Sequence, residues 1–181
     1  LNYTSPETQI RRLEVSDAPV YRELRLRGLR EHPDAFTSSF EEESLRPLAD
    51  TEKRLSPASD TAMWGAFVEG TLAGVVGMTR ETRLKNRHKA TLVAMYVAPE
   101  YGGQGLGLAL VNTVVQAARN EGVELLVLTV TEGNKQAASL YARAGFAPFG
   151  VEPDAIRVNG VPFGKQHMYL QLPSRMPAHQ H

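Results

Sequence analysis

The chain contains no cysteine, which removes disulfides, thiolate metal sites and a cysteine nucleophile. That absence is compatible with the cytoplasm, where the protein is expected to reside. An excess of charge of either sign is also missing: Lys and Arg total 20, Asp and Glu total 20, and the formal net charge is zero. Binding to nucleic acid or anionic lipid draws on a basic excess, because phosphate contacts dominate it. Neither partner is expected here. No apolar run approaches the roughly 18 residues that cross a bilayer, and Leu1 to Pro6 lacks the charged-then-apolar pattern of a signal peptide.

A length of 181 residues fits one domain, and 42% hydrophobic residues are enough to build its core. The expected organisation is a single domain over residues 1–181, with a core at about 9–172 and a flexible tail over 173–181. His179 and His181 would supply two ligands on a free tail without a scaffold, so no metal site is expected.

Alternation from Gln9 to Val15 suggests a first strand, with Ser16 or Asp17 capping a helix that runs to about Arg30. His32-Pro33-Asp34 stops that helix. Phe36 to Leu55 reads as loop and short helix, and Ser56 to Asp60 as a linker. Met63–Val68 and Leu72–Thr82 are strands flanking a hairpin signal at Glu69-Gly70-Thr71. Thr91–Val97 is apolar nearly throughout, which predicts a strand buried on both faces. Leu106, Leu110, Val111, Val114, Val115 and Ala118 mark an amphipathic helix closed by Gly122. Val123–Thr131 is another buried strand, and Ala137 to Ala144 a short helix ended by Gly145. Phe163–Leu172 is a last strand after the turn at Asn159-Gly160. An antiparallel meander thus feeds a strand–helix–strand–helix unit, an α/β or α+β fold.

The most informative stretch runs from Met95 to Gly107. A strand ends at Val97, Pro99 withholds an N–H from the ladder, and Gly102, Gly103, Gly105 and Gly107 precede a long apolar helix. Backbone amides converging at a helix N-terminus bind phosphate without a basic side chain. A flexible glycine loop is the plainer alternative. The dinucleotide pattern G-x-G-x-x-G fails, because Leu108 stands where its last glycine belongs. The nucleoside-triphosphate pattern fails because Leu108 and Ala109 stand where Lys and Ser or Thr belong.

This stretch resembles the cofactor motif of the GNAT superfamily of acyl-CoA N-acyltransferases, Q/R-x-x-G-x-G/A, read here as Gly102-Gly103-Gln104-Gly105-Leu106-Gly107. The opening Gln or Arg is replaced by Gly102, which removes one side-chain contact to a pyrophosphate and leaves the backbone amides. A second segment, Asn134 to Phe146, is similar to the family's N-x-x-A-x-x-L-Y-x-x-x-G-F at every named position. Tyr141 taken alone would more often be core than catalyst; two segments in order and at the right distance shift that balance.

The resemblance implies a mixed, mostly antiparallel central sheet flanked by helices and an N-acetyltransferase using acetyl-CoA as cosubstrate, with no metal. It implies that the central strand and its successor splay apart and that the pantetheine arm pairs along Met95, Tyr96 and Val97 like an added strand. An amide near Tyr96 or Val97 would stabilise charge growing on the thioester oxygen. The pyrophosphate would lie on Gly102, Gly103, Gln104, Gly105, Leu106 and Gly107. Asn134 would bind pantetheine or position the next strand. Tyr141 would lie against the cofactor and, as a phenol of ordinary pKa near 10, protonate the departing thiolate.

The acceptor is a primary amine: a small amine, an amino acid, an antibiotic or a protein N-terminus. A lysine-like amine is neutral about once in a few thousand molecules at pH 7, so a base or water chain should help it. Glu152, Glu31, Asp34 and Glu41 to Glu43 are the candidates, and for each a solvated surface role competes. Acid near the first helix would favour a cationic amine, and Phe36, Phe40 and Phe163 an apolar portion. A non-catalytic acyl-CoA-binding sensor or partner module is the alternative reading, and homodimerisation stays open.

Overall fold

Glu69 and Gly70 sit at φ 48° and 81°, the left-handed pair that a two-residue hairpin turn requires. They join β2 (Thr61–Val68) to β3 (Thr71–Arg80). The computed structural model describes residues 6–174. Around this hairpin the chain places β1 (Thr8–Arg12), α1 (Ala18–Glu31), α2 (Phe40–Ser44) and α3 (Leu48–Leu55) before it. After it come β4 (Lys89–Val97), α4 (Leu106–Asn120), β5 (Leu125–Thr131), α5 (Lys135–Arg143), β6 (Ala147–Val158) and β7 (Val161–Gln171).

The strands form one sheet in the order β1-β2-β3-β4-β5-β7-β6. Every junction is antiparallel except β4–β5. The fold is therefore the mixed, mostly antiparallel sheet with flanking helices that the sequence implied. Leu110, Val111, Val114 and Ala118 bury one stripe of α4 against the sheet, joined by Tyr141 and Phe146 of the α5 region. On the opposite face Ala18, Tyr21 and Leu24 of α1 and Leu55 of α3 pack on Met63, Val75 and Tyr96. Pro33 follows directly on α1, and His32 ends the helix with its amide on the Gly28 carbonyl.

The β4–β5 ladder has three rungs, Lys89–Leu125, Ala90–Leu126 and Thr91–Val127. Past Thr91 the two strands separate. Opposite Val76 of β3, the register of β4 slips by a residue, and Ala94 adopts a φ of +56°. Such a bulge bends the strand and re-aims its side chains.

Three expectations need correction. The strand ending at Val97 is not buried on both faces: Thr91, Val93, Ala94, Met95 and Val97 are half-buried, because its far end borders open space rather than β5. The first strand stops at Arg12, and Val15 belongs to a short 3-10 turn over Val15–Asp17. β6 is a strand of 12 residues where none was read. Of the expected tail, residues 175–181 with His179 and His181 lie outside the described residues, as do residues 1–5. No helix among the described residues is long and apolar enough to cross a membrane.

Candidate active site

The glycine loop leaves β4 through a short 3-10 turn, Pro99–Tyr101. Arg27 of α1 forks onto the Glu100 carboxylate at 2.6 and 2.7 Å, and this bond holds Glu100 down to a pKa of about 2. The loop is thereby tied to the first helix just before it turns. Gly103 and Gly105 both take φ near +75°, a conformation that costs a residue with a Cβ roughly 1–2 kcal/mol. Gly105 is the N-cap of α4 and offers no side-chain cap, so the first-turn amides of α4 have no acceptor within the helix. Among the described residues, the amides of Gly103, Gln104 and Gly105 donate to no backbone carbonyl outside it either. The loop is a cluster of free donors at the positive end of a 15-residue helix.

These donors open onto a cleft of about 550 Å³. Met95, Tyr96, Val97, Gly102, Gly103, Gly105, Leu106, Gly107 and Asn134 line it, as the sequence suggested. Two expected residues do not: Gln104, which is exposed, and Tyr141. Along β4, Ala98 donates its amide to the Ala73 carbonyl on the β3 side at 2.9 Å. Successive extended residues point their amides to opposite edges, so the Val97 amide faces the gap toward β5. Asn134 caps α5, its Oδ1 accepting from the Ala137 amide at 3.2 Å. Gln136, Ser139, Leu140 and Arg143 turn one side of α5 into the cleft. The sequence reading passed over the polar three, although their three- and four-residue spacing around Leu140 marks one helix face.

A second cavity, of about 280 Å³, lies on the other side of the bulge. Thr91 to Met95, Thr129, Tyr141 and Lys165 line it, with Arg25, Arg54 and the segment from Ala35 to Ser38. Ala35, Phe36 and Met95 border both cavities, so the two meet at that point. Tyr141 is 6% exposed and stacks edge-on against Phe146 at 6.0 Å. Burial pushes its phenol well above the ordinary value of 10, which corrects the expectation of an unperturbed acid.

The carboxylates proposed from sequence are dispersed. Glu31 pairs with Arg27 at 3.1 Å and meets the Tyr96 hydroxyl at 3.4 Å. Glu41 and Glu42 are exposed on α2. Glu43 receives Arg25 Nε and Nη2 at 3.3 and 3.0 Å. Burial alone would raise the Glu43 pKa, but the Arg25 contacts, together with Ser38 and the charge of Arg54, hold the carboxyl below its usual value. Glu152 lies 3.4 Å from His167, and Asp34 presents its backbone carbonyl to the Thr131 hydroxyl at 2.6 Å. None of them lines either cavity. The acid near the first helix therefore lines neither cavity, and neither do Phe40 and Phe163; Phe36 alone of the three aromatics does.

Residues 26–146 match the family model described as "Acetyltransferase (GNAT) family". The chain is 30% identical over 134 residues to human N-acetyltransferase 8B, covering 70% of this chain and 56% of that protein. It spans about half the length of the curated relatives it matches. Its fold superposes on a GNAT-family acetyltransferase from Streptococcus pneumoniae with a TM-score of 0.82 at 24% identity, covering 92% of this chain and all of that one. A putative acetyltransferase from Salmonella typhimurium, solved with its cofactor acetyl-CoA, gives 0.77 at 20% identity, covering 94% and 97%.

Proposed function

The chain belongs to the GNAT family of acetyltransferases, and we propose that it transfers acetyl from acetyl-CoA to a primary amine by direct attack in a ternary complex. The observation that carries this reading is the pair of cavities meeting at Ala35, Phe36 and Met95, beside the parting of β4 and β5. A long cofactor in the first and a small acceptor in the second would approach each other there.

The residues present fit acetyl-CoA. The free amides of Gly103 to Gly107 and the α4 N-terminus would hold its pyrophosphate, and Arg143 adds a cation along the same cleft. The outward edge of β4, with the Val97 amide facing the gap, offers the pantetheine arm a strand to pair with. The fold match to a protein solved with acetyl-CoA supports the same assignment.

In the transfer the amine nitrogen bonds to the acetyl carbon, the carbon–sulfur bond breaks, one proton leaves the amine and one reaches the sulfur. The chain's part is placement and proton supply. Met95 and Phe36 border the meeting point with apolar surface. The Val97 amide is a fixed donor facing the gap, and fixed donors favour the state in which negative charge has grown. Tyr141 lines the acceptor side with its proton held on by burial, which excludes it as a base at neutral pH and makes it a weak acid, so donation to the sulfur must be coupled to gain of the amine's proton. Its proton goes to the sulfur and is replaced by the one the amine releases.

A thiol-release assay over a broad amine panel tests the proposal. One free thiol per acetylated amine is the expected result. Acetyl-CoA binding with no thiol release from any amine would instead identify a cofactor-binding module.

A further inference from the structure

The second cavity carries three cations and, among the described residues, no carboxylate in its wall: Arg25, Arg54 and Lys165 line it with hydroxyl-bearing and apolar residues. Arg25 spends Nε and Nη2 on Glu43, while its Nη1 is buried with no hydrogen-bond partner. Arg25 is therefore engaged or closed off at each of these nitrogens, and the cations left to meet a ligand are Arg54 and Lys165. Arg54 and Lys165 have no carboxylate within 4 Å among the described residues. Lys165 is held in place by donating to the Thr37 hydroxyl, and Arg25 by stacking 4.9 Å over the Phe36 ring. Desolvation lowers the Lys165 pKa, with Glu152 opposing it, as expected of a cation that lacks a close counter-ion.

We propose that this cavity takes the carboxylate of the acceptor through Arg54 and Lys165, so that the acceptor is a small α-amino acid. The inference rests on the acetyl-transfer reading and adds its substrate class. Such a molecule presents its amine toward the meeting point at Met95 and Phe36 and its anionic end toward the cations. A simple amine would leave Arg54 and Lys165 without an anionic partner in the cavity. At about 280 Å³ the cavity is at the small end of ligand sites, which suits a free amino acid better than a polypeptide segment. Phe36, Leu92, Val93 and Met95 favour an apolar side chain on it.

The test compares L-leucine, L-leucinamide and 3-methylbutylamine, which share a side chain and differ at the carboxylate; the amide also stands for a peptide N-terminus. With acetyl-CoA saturating, kcat/KM for L-leucine should exceed that for the other two at least tenfold. In the Arg54→Met, Lys165→Met double variant that ratio should collapse to within about threefold, through a raised KM for L-leucine. Unchanged acetyl-CoA affinity would certify that the variant is folded, and Lys165→Arg alone should keep the preference. Calorimetry with N-acetyl-L-leucine and N-acetyl-L-leucinamide reads the same site without turnover. Tighter binding of the carboxylate ligand by an enzyme that releases no thiol would refute the transfer reading and leave the anion site standing. Equal or better use of the amide or the decarboxylated amine would overturn the inference. So would a preference that survives the double variant, or no binding of either N-acetyl ligand.

Discussion

Thr91 pairs with Val127 in the last rung between β4 and β5, and the proposed chemistry is arranged around the opening that begins there. A parallel ladder continued to Val97 would have covered the Val97 amide and filled the place where the two cavities meet. The bulge at Ala94 keeps β4 attached to β3 while its outer edge stays free.

Tyr141→Phe keeps the ring and its contact with Phe146 and deletes only the hydroxyl. General acid catalysis contributes about 10²- to 10⁴-fold. The turnover number at saturation in both substrates should therefore fall at least tenfold, with acetyl-CoA affinity little changed. Wild-type turnover, measured where chemistry limits the rate, would leave Tyr141 a core residue and water the proton source.

The glycine loop makes a separate prediction. A Cβ at Gly107 would stand 3.2 Å from Leu140 and 3.4 Å from Met95, and Gly105 holds φ +76°. The double variant Gly105→Val, Gly107→Val should bind acetyl-CoA at least tenfold more weakly by calorimetry. Unchanged affinity would place the pyrophosphate elsewhere.

Gly102 behaves differently. Its φ is −64°, open to any residue, although an added Cβ would sit 3.1 Å from the Pro99 carbonyl and needs a few tenths of an ångström of give. Gly102→Arg restores the long polar side chain of the family motif, so acetyl-CoA affinity should rise or stay the same. A tenfold loss would mean that the loop cannot shift to admit it.

Asp17 is a stability prediction. It accepts from both terminal nitrogens of Arg11 at 2.8 and 2.9 Å and from the Glu14 amide at 2.7 Å. The Arg11 bonds hold its pKa below the ordinary value against the opposing cost of burial. A depressed carboxylate stabilises the fold above its unfolded pKa, about 3.9, and loses that contribution as pH falls through the lower folded value. Asp17→Asn should thus cost about 1–3 kcal/mol at pH 7. The melting-temperature gap to the wild type should narrow below about pH 4. A gap independent of pH would show that charge is not what Asp17 contributes.

The sequence was most readable where one residue type is dictated by local geometry. Gly103 and Gly105 occupy positive φ, and α4 shows its buried stripe at helical spacing. β6 was illegible because nearly all of its residues are exposed, so no alternation marks it. Pro148, Pro153 and a left-handed Asp154 interrupt it as well, and it exists through pairing with β7. The second cavity was illegible for another reason. Glu41 to Glu43 are conspicuous as a run, whereas Arg25, Arg54 and Lys165 are brought together only by tertiary structure. The acids near the first helix do not line that cavity, because Glu43 is taken by Arg25 and Glu41 and Glu42 are exposed.

The most direct test of the account is a crystal structure of the protein with acetyl-CoA bound. The pyrophosphate should lie on the amides of Gly103 to Gly107, the pantetheine along the free edge of β4, and the acetyl group at the junction bordered by Phe36 and Met95. Acetyl-CoA bound outside the β4–β5 opening, or with its acetyl group out of reach of the cavity that holds Tyr141, would contradict it.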